Sequence, residues 1–256
     1  MKTFSSTLRS VPIVFGLLFI SAASIADEIH IAVASNFAGV MKTLVSEFED
    51  NTEHRVILIA GSTGKHYAQI VNGAPFDLFF AADVKRPELL DTQGLIEPSS
   101  RFTYAIGRLV LWSPRDDYVD SSGVVVDELD YHYLAIANPK LAPYGRAAKE
   151  VIESRGLWEA LQGKLVRGEN IAQTYQFVAS GNASLGFVAF SQILKSGKVI
   201  KGSYWKVPEE LYSPIEQQAV LLKNGDVARD FLAYIKSDEA LEIIQSFGYG
   251  VKGVSD

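Results

Sequence analysis

The sequence predicts an α/β protein of two lobes, each a mainly parallel sheet flanked by helices, with two chain crossings between them. Three observations support this prediction. Apolar runs of strand length alternate with amphipathic helical segments through the first half of the chain. A long apolar segment leads away near residue 105, and another apolar run leads back near residue 215. We therefore expect lobe one to comprise residues 27–106 and 215–256, lobe two residues 107–214, and a cleft to lie between them.

Three strand–helix units open lobe one. The predicted strands are residues 29–34, 55–60 and 77–81, and the predicted helices are residues 37–49, 65–72 and 86–93. Strands that alternate with helices in this way form parallel sheets with right-handed crossovers. The segment 102–112 is predicted to be a single long strand that crosses into lobe two.

Lobe two continues the alternation with shorter elements. The predicted strands are residues 134–137, 164–167 and 185–190, and the predicted helices are residues 144–155 and 171–180. The strand 215–222 is the predicted return crossing, and the tail 226–247 is predicted to be helical.

Composition excludes several classes of function. The 256 residues contain no cysteine, which excludes disulfide frameworks, cysteine-ligated metals and thiol nucleophiles. The formal net charge is −6 and no basic stripe occurs, so a general nucleic-acid or anionic-membrane surface is not expected. We expect a monomer that needs no cofactor.

The first 26 residues have the pattern of a secretory signal peptide. Lys2 and Arg9 precede the apolar run 11–20, and Ser24 and Ala26 form a small-x-small cleavage site. The run is too short for a membrane span, which needs about 20 apolar residues. We therefore expect cleavage after Ala26 and export to the periplasm.

Four loops between predicted strands and helices could bind an anion. They contain Ser35-Asn36, Ser62-Thr63, Pro143-Tyr144 and Asn170-Ile171. Ligands of open α/β sheets bind beyond the carboxyl ends of the strands, and helix N-termini attract anions through free N–H groups and the helix dipole. The alternative for each loop is that its polar residue only caps its own helix.

Other chemistries have weaker support in the sequence. The segment 61–65 lacks the spacing of a nucleotide-binding phosphate loop, and the four histidines show no metal-ligand spacing. Ser62 has no evident partners for a hydrolase triad. An exported serine hydrolase and a receptor for an organic ligand remain as alternatives.

The four loops, taken in order, resemble those of molybdate-binding periplasmic proteins of ABC transporters. The resemblance spans nearly the whole chain after residue 26 and rests on AVASNF, AGSTGK, GAPFDLFFAAD, ANPKLAPYGRAA and GENIAQTYQFVASGNASLGFVA. It implies the two-lobed class II periplasmic binding protein fold. It also implies that the protein captures molybdate or tungstate in the cleft, is not an enzyme, and delivers the ion to a membrane permease.

The resemblance also implies contact residues in lobe one. Ser35 and Ser62 would donate hydroxyl hydrogen bonds to the anion. Asn36 and Thr63 follow them in the same loops and could add backbone N–H donors.

Two further contacts are implied in lobe two. Family members place a contacting tyrosine either in the Pro-Tyr-Gly loop or at the position of Ala189, and this chain has Tyr144 in that loop. We therefore expect the Tyr144 hydroxyl and the backbone N–H of Ile171 to complete the site.

None of these positions is an acid, which favours a fully deprotonated dianion such as molybdate, tungstate, sulfate or chromate. The direction of Glu169, close to Ile171, stays open. Donor counting does not separate sulfate from molybdate, so a receptor for another tetrahedral oxyanion remains an alternative.

Overall fold

Two five-stranded sheets, each with its own hydrophobic core, organise the chain. The computed structural model describes residues 28–195 and 197–251, so the predicted signal peptide over residues 1–26 lies outside the described residues. No helix within the described residues is long and apolar enough to cross a membrane.

Twelve strands and nine α-helices are defined within the described residues. The strands are β1 (Glu28–Ala34), β2 (Arg55–Gly61), β3 (Leu78–Ala81), β4 (Phe102–Gly107), β5 (Leu109–Ser113), β6 (Leu134–Ala137), β7 (Leu165–Gly168), β8 (Leu185–Ala189), β9 (Leu194–Lys195), β10 (Lys198–Val199), β11 (Ser203–Lys206) and β12 (Ile215–Leu221). The helices are α1 (Ala38–Asp50), α2 (Thr63–Val71), α3 (Lys85–Thr92), α4 (Val125–Glu128), α5 (Pro143–Ser154), α6 (Ile171–Ala179), α7 (Phe190–Ile193), α8 (Asp226–Ile235) and α9 (Asp238–Ser246). A short 3₁₀ helix spans Glu209–Leu211.

The sheet of lobe one has the strand order β2-β1-β3-β12-β4. Strand β1 pairs in parallel with β2 and β3, as the strand–helix units predict, and β12 is antiparallel to both β3 and β4. The largest core of this lobe joins one face of the sheet to α1, α8 and α9.

The sheet of lobe two has the order β11-β5-β8-β6-β7. Strand β6 is parallel to β7 and β8, whereas β5 is antiparallel to β8 and β11. Both sheets are therefore mixed. The strands that βαβ units contribute are parallel, and the strands that enter from a crossing join antiparallel.

The first crossing differs from the predicted single strand over residues 102–112. It consists of β4 in the first sheet and β5 in the second, separated only by Arg108. The two halves of the apolar segment join different sheets, and Arg108 separates them. The predicted helical tail is likewise two helices, because Ser237 caps a new helix through a hydrogen bond from the Ala240 N–H. The residue boundaries of the lobes remain a prediction.

Candidate functional site

The register of β1 and β2 brings the two polar loops of lobe one together. Ala34 lies opposite Gly61 at the carboxyl ends of these parallel strands, so Ser35 and Ser62 follow side by side. The backbone N–H of Ser35 donates to the Gly61 carbonyl at 2.9 Å and fixes this arrangement. The local sequence, an apolar strand followed by a polar loop, thus places two hydroxyl groups at one edge of the sheet.

Lobe two repeats this geometry with β6 and β7. Ala137 lies opposite Gly168, and the next segments lead into the N-termini of α5 and α6. Gly145 lets α5 start directly over the end of β6, because a Cβ there would overlap the carbonyl group of Ala137. Both helices therefore begin at the edge of the sheet that faces lobe one.

A small cavity of about 10 Å³, roughly the room that one water molecule needs, lies between these two edges. It therefore suits a ligand of few atoms. All six residues predicted for the site are among the twelve that line it, which are Ala34, Ser35, Asn36, Gly61, Ser62, Thr63, Ala82, Ala142, Pro143, Tyr144, Asn170 and Ile171.

Within the part of the chain that the structure describes, the Ser62 hydroxyl has no hydrogen-bond partner, although its Oγ is buried. Ser62 occupies the N-cap position of α2, yet its side chain does not cap the helix. Asn170 behaves differently, because its side-chain oxygen accepts the Gln173 N–H at 3.0 Å and caps α6. The capping interpretation thus holds for Asn170, whereas the Ser62 hydroxyl remains available to a ligand.

The side chains of Asn36 and Thr63 hold the loops in place. The Asn36 amide donates to Gln217 Oε1 at 2.8 Å and to Tyr249 Oη at 3.1 Å. Thr63 Oγ1 accepts the Ala82 N–H at 3.1 Å. The Asn36 amide protons are thus used within lobe one, which leaves its backbone N–H as the donor for a ligand. The Thr63 hydroxyl only accepts in this contact and keeps its own proton to donate.

Tyr144 lines the cavity, but its hydroxyl lies at the other end of the side chain. The Tyr144 hydroxyl packs directly against Gly107, where a Cβ would overlap the Tyr144 Oη. Gly107 lies at the first crossing and is not among the residues that line the cavity. The hydroxyl is buried near Tyr249, and burial raises the pKa of Tyr144 well above its usual value. Tyr144 is the second residue of α5, after Pro143, so its N–H has no acceptor within the helix.

Ile171 is the first residue of α6 and is equally unable to donate within its helix. Its side chain is buried in the core of lobe two, as is that of Tyr144. Lobe two thus presents backbone N–H groups, at the positive ends of two helix dipoles.

Among the described residues, no aspartate or glutamate lines the cavity. The carboxylate of Glu169 points away toward lobe one and forms an ion pair with Lys65 at 3.1 Å. Asp83, which follows a lining residue, is buried and paired with Arg86. The lining is therefore rich in donors and free of acidic side chains.

His66 lies close to the cavity in sequence but does not act as a base for Ser62. The imidazole of His66 contacts the Val33 carbonyl at 3.2 Å and Gln69 Oε1 at 3.1 Å, and burial lowers the pKa of His66. It makes no hydrogen bond with Ser62, so Ser62 lacks the base that a serine nucleophile requires. No cluster of three or more metal-ligating side chains occurs among residues 28–195 and 197–251.

Six lining residues were not predicted as ligand contacts, namely Ala34, Gly61, Ala82, Ala142, Pro143 and Asn170. Most of them have small or apolar side chains, which carry no chemical signal. Their position at strand ends and helix starts is the feature that could have identified them.

The chain matches the family model of the bacterial extracellular solute-binding proteins over residues 29–250. It is 48% identical over 251 residues to the molybdate-binding protein ModA of Azotobacter vinelandii, an alignment that covers 97% of this chain and 100% of that protein. It is 45% identical over 257 residues to the molybdate-binding protein ModA of Rhodobacter capsulatus, covering 97% and 99%.

Solved structures agree with the fold. The periplasmic molybdate-binding protein of Azotobacter vinelandii superposes with a TM-score of 0.85 at 43% identity, over 87% of this chain and 99% of that one. The sulfate-binding protein SubI of Mycobacterium tuberculosis gives a TM-score of 0.68 at 12% identity, over 87% and 86%. The second likeness concerns the fold alone.

Proposed function

Because this chain belongs to the bacterial extracellular solute-binding proteins, we propose that it captures molybdate between its lobes and delivers it to the permease of an ABC transporter. The chain is a binding protein and not an enzyme. The observation that carries the proposal is one small cavity lined from both lobes by hydroxyl and N–H groups, with no acidic side chain.

The donor set matches the protonation state of the ion. Molybdate is a fully deprotonated tetrahedral dianion at neutral pH and offers only acceptors. A monohydrogen phosphate carries a proton and would gain from an acidic acceptor, which the cavity lining lacks. Charge-assisted hydrogen bonds from Ser35 and Ser62, and from the N–H groups of Asn36, Thr63, Tyr144 and Ile171, are the contacts we propose.

Capture requires both halves of the site at once. The lobes, which we infer to be residues 27–106 with 215–256 and residues 107–214, rotate about the two crossings. Only the closed state lets donors of both lobes reach one ion, so the ion stabilises that state. The permease then recognises the closed form.

Tungstate has nearly the same size as molybdate, and we expect it to compete for the site. We also expect residues 1–26 to be removed on export to the periplasm, and the exported chain to act as a monomer. No nucleic acid or cofactor enters this function.

The test is a calorimetric titration of residues 27–256 with molybdate, tungstate, sulfate, phosphate and chromate, with a thermal-shift assay alongside. Molybdate and tungstate should bind and raise the melting temperature, because a ligand at 100 times its Kd stabilises a fold by about 2.7 kcal/mol. Tighter binding of sulfate than of molybdate would identify a sulfate receptor instead. An absence of binding by all five ions would overturn the proposal.

A further inference from the structure

An ion pair joins the two lobes beside the cavity. Lys65 Nζ lies 3.1 Å from Glu169 Oε1, and the two side chains are half-exposed. Lys65 is the third residue of α2 in lobe one, and Glu169 directly precedes the N-cap of α6 in lobe two. The pair therefore connects two of the helix starts that face the cavity.

Neighbouring contacts make the same connection between the lobes. The Gly64 N–H donates to the Leu141 carbonyl at 2.9 Å, and Arg86 Nη2 donates to the Lys140 carbonyl at 3.1 Å. Each contact joins a helix beside the first sheet to the loop that follows β6 of the second sheet. Such contacts depend on lobe closure, because they lie on the loops that separate when the cleft opens.

Glu169 places a negative charge close to a cavity proposed to bind an anion. A carboxylate close to an anion cavity repels the anion unless a cation neutralises it. Lys65 supplies that cation from the opposite lobe. The Glu169 backbone N–H also donates to Gln173 Oε1 at 2.6 Å, which fixes the loop from which the carboxylate extends.

We propose that Lys65 and Glu169 form a latch that closes over the bound anion and slows its release. This inference rests on the proposed function and names two positioning residues that do not line the cavity. The latch forms with closure, so its loss shortens the lifetime of the closed complex. Lys65 also adds positive potential that speeds anion entry, whereas Glu169 opposes it.

The expected effect is small because both side chains are solvated. Exposed ion pairs change an equilibrium or a rate by roughly 1.5- to 5-fold. Salt screens them, since the Debye length falls from about 10 Å at 0.1 M to about 3 Å at 1 M. We therefore expect an effect of about two- to fivefold on molybdate release at low salt that fades at high salt.

The experiment measures molybdate release by stopped flow, at 0.02 and 1 M salt, from four variants. These are Lys65→Met, Glu169→Gln, the double variant, and the charge reversal Lys65→Glu with Glu169→Lys. Both single variants should release molybdate faster at low salt, Lys65→Met should also bind it more slowly, and the charge reversal should restore slow release.

The pair Lys149 and Glu153 provides a matched control. It has a similar separation of 3.3 Å and similar exposure, but both residues lie on α5 within lobe two. Lys149→Met and Glu153→Gln should leave the release rate unchanged.

The results distinguish a failure of the proposed latch from a failure of the proposed function. If wild-type protein does not bind molybdate in an equilibrium titration, the proposed function fails. If wild type binds molybdate but Glu169→Gln releases it at the wild-type rate, the latch is overturned and the function stands. Failure of the charge reversal to slow release relative to the single variants would also overturn the latch.

Discussion

The two lobes meet the same cavity with different chemistry. Lobe one presents side-chain hydroxyls, of which the buried Ser62 Oγ has no partner of its own. Lobe two presents the backbone N–H groups of Tyr144 and Ile171, whose side chains are buried in the core. Residue type thus specifies the hydroxyl donors of lobe one, whereas the position of two helices specifies the donors of lobe two.

This difference determines how each half can fail. A hydroxyl is removed by one substitution that leaves the backbone in place. An N–H group cannot be removed in that way and is lost only when its helix moves. Lobe one should therefore respond to the loss of a donor atom, and lobe two to any change that displaces α5 or α6.

The largest effect is expected from Gly145→Ala in lobe two. The new Cβ would lie 2.6 Å from the carbonyl carbon of Ala137, and backbone atoms cannot move aside as a flexible side chain can. We expect a loss of about 3 kcal/mol in unfolding free energy, the upper part of the overpacking range, and about a hundredfold loss of molybdate affinity as the Tyr144 N–H is displaced. Urea unfolding and calorimetry measure the two effects.

Gly163→Ala is the matched control in the same lobe, because a Cβ there meets no atom within 4 Å. Gly163→Ala should leave both the unfolding free energy and the molybdate affinity close to those of wild type. Wild-type affinity in Gly145→Ala would show that the start of α5 does not hold the anion.

Ser62→Ala tests the other half of the site. Loss of one hydrogen bond to an ion should cost about 1.5–3 kcal/mol of binding free energy, or about ten- to a hundredfold in affinity. The ligand-free protein should be as stable as wild type or slightly more stable, because the buried Oγ has no partner to lose. Calorimetry and thermal unfolding without ligand check both statements.

The exposed Ser46 on α1 offers a control substitution in lobe one. Ser46→Ala should leave molybdate affinity unchanged. If Ser62→Ala instead destabilised the ligand-free protein and bound molybdate normally, its hydroxyl would have a structural role only.

The same contrast explains how far the sequence alone leads. Ser35 and Ser62 are polar residues directly after apolar strands, so local pattern places them in candidate loops, and the resemblance adds the hydrogen bonds that they would donate. Ala82 and Ala142 line the cavity through positions that no side-chain property reveals. In lobe two the resemblance selects the residue Tyr144, but the direction of its hydroxyl depends on packing against Gly107, which is distant in sequence.

The fold follows a similar division. The parallel strands come from periodic segments that pair with near neighbours, and their bounds agree closely with the structure. The crossing over residues 102–112 was predicted as one strand because all of its signals are local and apolar. Its division into β4 and β5 depends on which sheet each half joins, and sheet pairing is decided by distant residues.

A smaller effect is expected on the pH dependence of the unfolding free energy, through a histidine of lobe one. His66 of lobe one is buried, and burial lowers its pKa from the usual 6.5. The unfolded chain therefore binds the proton more readily, so the unfolding free energy is fully present above pH 6.5 and falls as the pH drops below it. His66→Gln should flatten part of this decline, as measured by urea unfolding between pH 5 and 8. An unchanged slope would place the pH dependence elsewhere.

Tyr144→Phe should have the smallest effect and decides which atom of Tyr144 binds. The hydroxyl lies against Gly107 at the crossing, whereas the backbone N–H belongs to the first turn of α5 and has no acceptor within that helix. Molybdate affinity should therefore stay within about threefold of wild type, a change of less than ~0.7 kcal/mol, when measured by calorimetry. A tenfold loss would instead assign the contact to the hydroxyl and would give lobe two a side-chain donor like those of lobe one.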